Sequence, residues 1–206
     1  MMLFKEIKVI TEKECELLLN IFESNKERFT QSSNNGEVKY SAFESVINKD
    51  FPEVHDFLVK TIKEKNIAQL KNCEIIKSFA CRYSSDSQTY MPYHYDLDNY
   101  TLLIYLNDDF KGGGTHFPLI KKVSSVGEVG IGNGILFNGL HIKSWHGALP
   151  ISSGVRYTIS VRIKKKGVLS LLKKMFNLSI LILVGNVLNK TQHKYGKIRV
   201  KLDKLK

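Results

Sequence analysis

The chain has 206 residues, 43% hydrophobic and 25% charged, enough apolar material for one packed core, which excludes disorder as its main state. Its three cysteines, Cys15, Cys73 and Cys81, form no CxxC pair and leave one over, so neither a disulfide framework nor a zinc knuckle is indicated and reduced thiols fit. The net charge of +11 is unevenly placed: residues 1–163 hold 19 Lys and Arg against 19 Asp and Glu, whereas residues 164–206 hold 12 against Asp203 alone.

The N-terminus, Met1-Met2-Leu3-Phe4-Lys5-Glu6, puts no charged segment ahead of a long apolar run, so no signal peptide is read and a cytoplasmic location is expected. Thr11-Glu12-Lys13-Glu14 reads as a capping box with Ile10 as the preceding hydrophobic staple. Cys15, Leu18, Leu19 and Phe22 continue one apolar stripe, which predicts a helix near residues 12–25. Gln31–Gly36 is polar and rich in Asn and Gly, so a loop is expected there. A second helix is expected from Asp50, with Pro52 in its first turn and Phe51, Val54, Phe57, Leu58 and Ile62 facing inward.

From Cys73 the hydrophobic period changes to two. Ile75–Tyr83, Tyr100–Asn107, Gly134–Phe137 and Arg156–Ile163 are short runs of β-branched and aromatic residues between clusters of Gly, Asp, Asn and Pro. The natural outcome is a sandwich or barrel of short antiparallel strands with helices packed outside. In the tail, the uncharged stretch Met175–Asn189 has 15 residues, short of the roughly 20 that a helix needs to cross a bilayer. Packing of this stretch against the barrel or a second protomer is the plainer expectation. The alternative is a lysine-flanked helix lying on an anionic membrane surface, and the basic tail suggests an anionic partner, membrane or nucleic acid.

His94-Tyr95-Asp96, then His146, then Arg156 ten residues later, carry the chemistry. Two His and one carboxylate on one face of Fe(II) leave the opposite face free for a bidentate 2-oxo acid and dioxygen. If the segment is a strand, His94 and Asp96 project from one face while Tyr95 points away. His-x-Asp alone is a weak signal.

The wider pattern resembles the 2-oxoglutarate and Fe(II)-dependent oxygenases, specifically their prolyl 4-hydroxylase-like branch. The matching blocks run in order from Phe79 to Ile163: Arg82-Tyr83, Tyr93-His94-Tyr95-Asp96, Leu103-Ile104-Tyr105-Leu106-Asn107, Gly112-Gly113-Gly114-Thr115-His116-Phe117-Pro118, Gly134-Ile135-Leu136-Phe137-Asn138, His146-Gly147 and Gly154-Val155-Arg156-Tyr157-Thr158. The resemblance implies a mainly β fold, a double-stranded β-helix (jelly-roll, cupin-like) core packed by N-terminal helices. It would occupy residues 1–166, with helices in 1–72 and the β core in 73–166, and leave 167–206 as an extension. It implies that His94, Asp96 and His146 bind Fe(II), and that Arg156 pairs with the distal carboxylate of 2-oxoglutarate through its planar fork. It further implies Thr158 as a hydroxyl partner there, Tyr83 and Tyr105 as lining, O2 as second cosubstrate and ascorbate as reductant. For the two tyrosines, plain packing is an equal alternative.

Among the other histidines, His141 lies too far ahead of Arg156 for the family spacing. His116 is expected to face the surface or substrate, and His55 and His193 to be structural. The implied activity is hydroxylation of an unactivated C–H bond, most directly of a prolyl residue in a protein or peptide, with succinate and CO2 as coproducts. Hydroxylation of a free amino acid or other small molecule, nucleic-acid demethylation and a catalytically silent binding module are the alternatives. Substrate-gripping loops are expected around Gln31–Ser45 and Ser84–Tyr93.

Overall fold

The computed structural model describes residues 4–34, 37–85, 90–167 and 177–188. In chain order it forms β1 (Phe4–Lys8), α1 (Glu12–Ser24), β2 (Thr30–Asn34), β3 (Glu37–Val46), α2 (Ile47–Asp50), α3 (Pro52–Glu64), β4 (Cys73–Ser84) and β5 (Met91–His94). β6 (Tyr100–Tyr105), β7 (Phe110–Gly112), β8 (Thr115–Phe117), β9 (Lys122–Ser124), α4 (Val126–Val129), β10 (Asn133–Phe137), β11 (His146–Ala148) and β12 (Ile151–Lys165) follow, and residues 177–188 form α5.

The capping box starts α1 as expected: Glu14 N donates to Thr11 Oγ1 at 3.2 Å, and Thr11 N donates to Glu14 Oε2 at 2.7 Å. Cys15, Leu18 and Phe22 turn to the core. The second helix is interrupted at Phe51, whose φ of −141° and ψ of 64° separate α2 from α3. Pro52 causes the break, because its ring disfavours helical backbone in the residue before it. Val54, Leu58 and Ile62 then form the buried stripe of α3.

Two sheets face each other. One runs β1-β10-β6-β12-β4-β3-β2, with β7 also paired to β12; the other runs β5-β11-β8-β9. All of their pairings are antiparallel, giving the double-stranded β-helix core. The loop expected over 31–36 is instead largely strand: β2 reaches Asn34 and pairs with β3, which in turn pairs with β4. Local composition missed it because the pairing partner that orders β3 is distant in sequence, and an edge strand tolerates polar residues on both faces.

β12 runs through the middle of the larger sheet between β6 and β4, and its alternation sets the architecture. Tyr157, Ile159, Val161 and Ile163 join the cluster that includes Leu18, Phe22, Leu58 and Ile62 from α1 and α3. Tyr157 also pins α1 by donating to Glu23 Oε1 at 2.7 Å while accepting from Arg82 Nε at 3.0 Å. The opposite face, with Arg156, Thr158, Ser160 and Arg162, looks between the sheets.

Two glycines permit close approaches here. A Cβ on Gly113, which has φ +76°, would come within 2.9 Å of Ile151 and 3.5 Å of Arg156 Cδ; one on Gly147 would lie 2.8 Å from Met91 O, between β5 and β11. α5 packs Leu181 with Tyr95, Leu140 and Trp145 against the end of the smaller sheet. Among the described residues, no helix is long and apolar enough to cross a membrane, and no disulfide forms.

Candidate functional site

His94 is the last residue of β5 and His146 the first of β11, and the two are directly paired in register, with ring centroids 4.5 Å apart. Asp96 lies beyond the strand end, so its approach to His94 does not come from strand alternation. It is placed by Thr101 in β6, whose hydroxyl donates to Asp96 Oδ2 at 2.6 Å. Phe117 and Phe137 pack against the His146 ring.

The tautomers follow from the partners. His94 Nδ1 lies 2.8 Å from the Pro92 carbonyl and His146 Nδ1 lies 2.8 Å from the Ser144 carbonyl. A carbonyl only accepts, so both Nδ1 atoms carry the proton and both Nε2 lone pairs are free to bind. Burial lowers the His94 pKa to about 4, and burial together with the neighbouring His94 lowers that of His146 to about 3, so both rings are neutral at neutral pH.

These lone pairs face Asp96 Oδ1 at 3.3 Å from His94 and 3.7 Å from His146. With neutral rings these are not ion pairs, and no proton lies between the atoms. Asp96 Oδ1 is buried without a hydrogen-bond partner. Three donor atoms that close can share one cation, although Arg162 already offsets the charge of Asp96 Oδ1. Their separations approach the roughly 3 Å between neighbouring donors on an ion with bonds of about 2.1 Å. The donor set, two imidazoles and one carboxylate, fits Fe(II).

Arg162 was not singled out by sequence reasoning. Its guanidinium lies against Asp96 Oδ1 without hydrogen-bond geometry, and its Nη1 donates to Thr101 Oγ1 at 3.3 Å. Burial lowers its pKa to about 10, which leaves it charged and offsetting the Asp96 carboxylate. The signal was available: on a strand, position 162 shares a face with 156, 158 and 160. Glu44 was also missed, and only the non-local pairing of β3 with β4 brings it beside Cys81, whose thiol donates to Glu44 Oε1 at 3.7 Å. Glu44 and Arg162 line the same cavity as His94, His146 and Arg156.

Arg156 is only 1% exposed, yet it pairs with no carboxylate among the described residues. Its Nη2 donates to Thr115 Oγ1 at 3.2 Å, while Nε and Nη1 have no partner. The Tyr83 and Tyr105 rings lie 4.9 and 5.8 Å from its guanidinium carbon. Thr158 Oγ1, on the same strand face, is likewise buried and unpaired. A buried cation with idle donors beside an idle hydroxyl fits a ligand carboxylate. The Tyr105 hydroxyl donates to the Ser124 carbonyl at 3.1 Å, so the protein already engages it. Burial raises the pKa of both phenols, which stay protonated.

Among the described residues, the other three histidines have partners within the protein. His141 accepts from Lys143 N at 3.1 Å, His116 Nδ1 bonds the Tyr93 hydroxyl, and His55 Nδ1 bonds Ser78 Oγ at 2.9 Å. His193 and positions 86–89 of the expected 84–93 loop lie outside the described residues.

No family model matches the chain. It is 35% identical over 89 residues to "2-oxoglutarate and iron-dependent oxygenase domain-containing protein 2" of Xenopus tropicalis, a match covering 40% of this chain and 25% of the relative. The chain therefore matches about a quarter of that relative's length. Among solved structures it is similar to the viral collagen prolyl hydroxylase of Paramecium Bursaria Chlorella virus-1, with TM-score 0.59 and 19% identity over 81% of this chain and 97% of that one. It is also similar to the non-heme alpha ketoglutarate dependent epimerase SnoN from nogalamycin biosynthesis, with TM-score 0.61 and 10% identity over 79% and 77%. The chain is thus a homologue of proteins named as 2-oxoglutarate and iron-dependent oxygenases, and it has the double-stranded β-helix fold of that enzyme class.

Proposed function

We propose that the protein is a 2-oxoglutarate- and Fe(II)-dependent dioxygenase that hydroxylates an unactivated C–H bond of a prolyl residue in a protein or peptide, releasing succinate and CO2. The observation that supports it is the presence of two complementary sites in one cavity. His94, His146 and Arg156 line it: two imidazole lone pairs converge beside Asp96 Oδ1, whose charge Arg162 alone offsets, and the guanidinium of Arg156, beside the idle Thr158 hydroxyl, faces no carboxylate.

His94, Asp96 and His146 would hold the ion, which when bound supplies the redox chemistry that couples dioxygen to oxidation of the 2-oxo acid. The chain's own residues set the conditions. Arg156 and Thr158 receive the distal carboxylate, and the Tyr83 and Tyr105 rings beside the guanidinium keep water from it. Thr101 and the Pro92 and Ser144 carbonyls fix the three ligand side chains in their binding orientation.

The prolyl assignment draws on the Leu103–Asn107 and Arg156–Ser160 segments and on likeness to a collagen prolyl hydroxylase. One observation favours a second reading, a charged small molecule such as a free amino acid. Glu44 and Arg162 both line the cavity, whereas a pyrrolidine ring within a peptide offers neither charge.

Purified protein with Fe(II), ascorbate and 2-oxoglutarate should release succinate faster with a proline-containing peptide pool, and Asp96→Ala should release none. Stimulation by free amino acids and not by peptides would select the second reading. Iron-loaded wild type that never consumes 2-oxoglutarate would overturn both.

A further inference from the structure

α5 has aliphatic side chains on both of its sides. Inward, Leu181 is 2% exposed, and a Cβ on Gly185 would lie 3.3 Å from the Trp145 ring, so the helix is clamped to the body. Outward, Ile180, Ile182, Leu183 and Val187 are 43, 51, 68 and 57% exposed. No charged residue occurs between positions 175 and 189. The outer stripe of an ordinary surface helix carries charge; here it carries none, and among its exposed residues Ser179 and Asn186 are polar beside the four aliphatic side chains.

We infer that the outward face of α5 is a docking surface for an anionic lipid bilayer. The positive charge in excess over the neutral body falls entirely within residues 164–206, the segment that contains this helix. At the end of β12, Lys165 and Lys166 are exposed and Lys164 partly so. A bilayer with acidic headgroups accepts aliphatic side chains at the acyl boundary and lysines above it. Phosphates of a nucleic acid would use the lysines and leave the aliphatic stripe bare. A second copy of the chain needs roughly 800 Å² per partner for a stable interface, more than four half-exposed side chains on one short helix present.

The helix would lie on the membrane and not through it. Its inner side rests on Tyr95, which separates His94 from Asp96, and on Trp145, which precedes His146. The lipid-facing element therefore backs directly onto both ligand-bearing segments.

Full-length protein should sediment with phosphatidylcholine vesicles containing phosphatidylserine and about tenfold less with phosphatidylcholine alone. Added salt should weaken the binding, since exposed charges are screened. The double variant Leu183→Glu/Val187→Glu changes two exposed positions and should keep the wild-type melting temperature while losing at least about tenfold in vesicle binding. The proposal is overturned if wild type stays in the supernatant at all lipid concentrations, or if the double variant binds as well as wild type. It is also overturned if light scattering shows a wild-type dimer that the variant dissolves, or if an oligonucleotide displaces the protein from vesicles without effect of the substitutions.

Discussion

The two faces of β12 share one backbone and differ in nearly everything else. Toward α1 and α3, Ile159 and Val161 are fully buried among aliphatic and aromatic neighbours. Toward the cavity, two residues of the same strand carry buried polar atoms that no group satisfies, Nε and Nη1 of Arg156 and Oγ1 of Thr158. Idle buried donors and acceptors cost stability, so one face holds the fold together while the other is maintained against it.

Acid should expose the contrast most strongly. Unfolded histidines titrate near 6.5, whereas His94 and His146 do so at about 4 and about 3 in the folded protein. Below pH 6.5 the unfolded chain therefore binds more protons, and the stability contributed by these neutral rings is intact above that pH and lost as pH falls toward 4. Urea midpoints of the metal-free protein should show a loss of several kcal/mol between neutral pH and pH 4. A profile flat over that range would mean that the rings are not held neutral.

On the apolar face, Ile159→Ala should cost about 3 kcal/mol in the same assay at neutral pH, because a close-packed site cannot collapse fully onto the space left. Loss of less than about 1 kcal/mol would mean a loosely packed face. The smallest effect has the opposite sign. Arg156→Met extends apolar character to the cavity side, so it should stabilise the metal-free protein by about 1–2 kcal/mol while abolishing thermal stabilisation by 2-oxoglutarate. A destabilised Arg156→Met would indicate that the guanidinium is already well compensated.

What could be read from the sequence was local. Thr11 and Glu14 announced α1 because a capping box is complete within four residues, and Arg156–Ile163 announced its strand by alternation. The same alternation contained Arg162, which went unread because only the tertiary fold shows that its face meets Asp96. The 31–36 segment went wrong because its order comes from pairing across the sheet, which polar composition does not reveal. The approach of Asp96 to His94 has a similar origin. It depends on Thr101 in the next strand and not on strand periodicity.

The donors' separation along the polypeptide governs when the ion can be captured. His94 and Asp96 are synthesised first, residues 97–145 follow, and the third donor comes into register only when β11 aligns with β5. A ribosome-bound chain truncated anywhere before His146 thus has an incomplete chelate. The three-donor arrangement is therefore complete only after β11 has joined β5, so any ion that needs all three donors can bind only to the closed barrel.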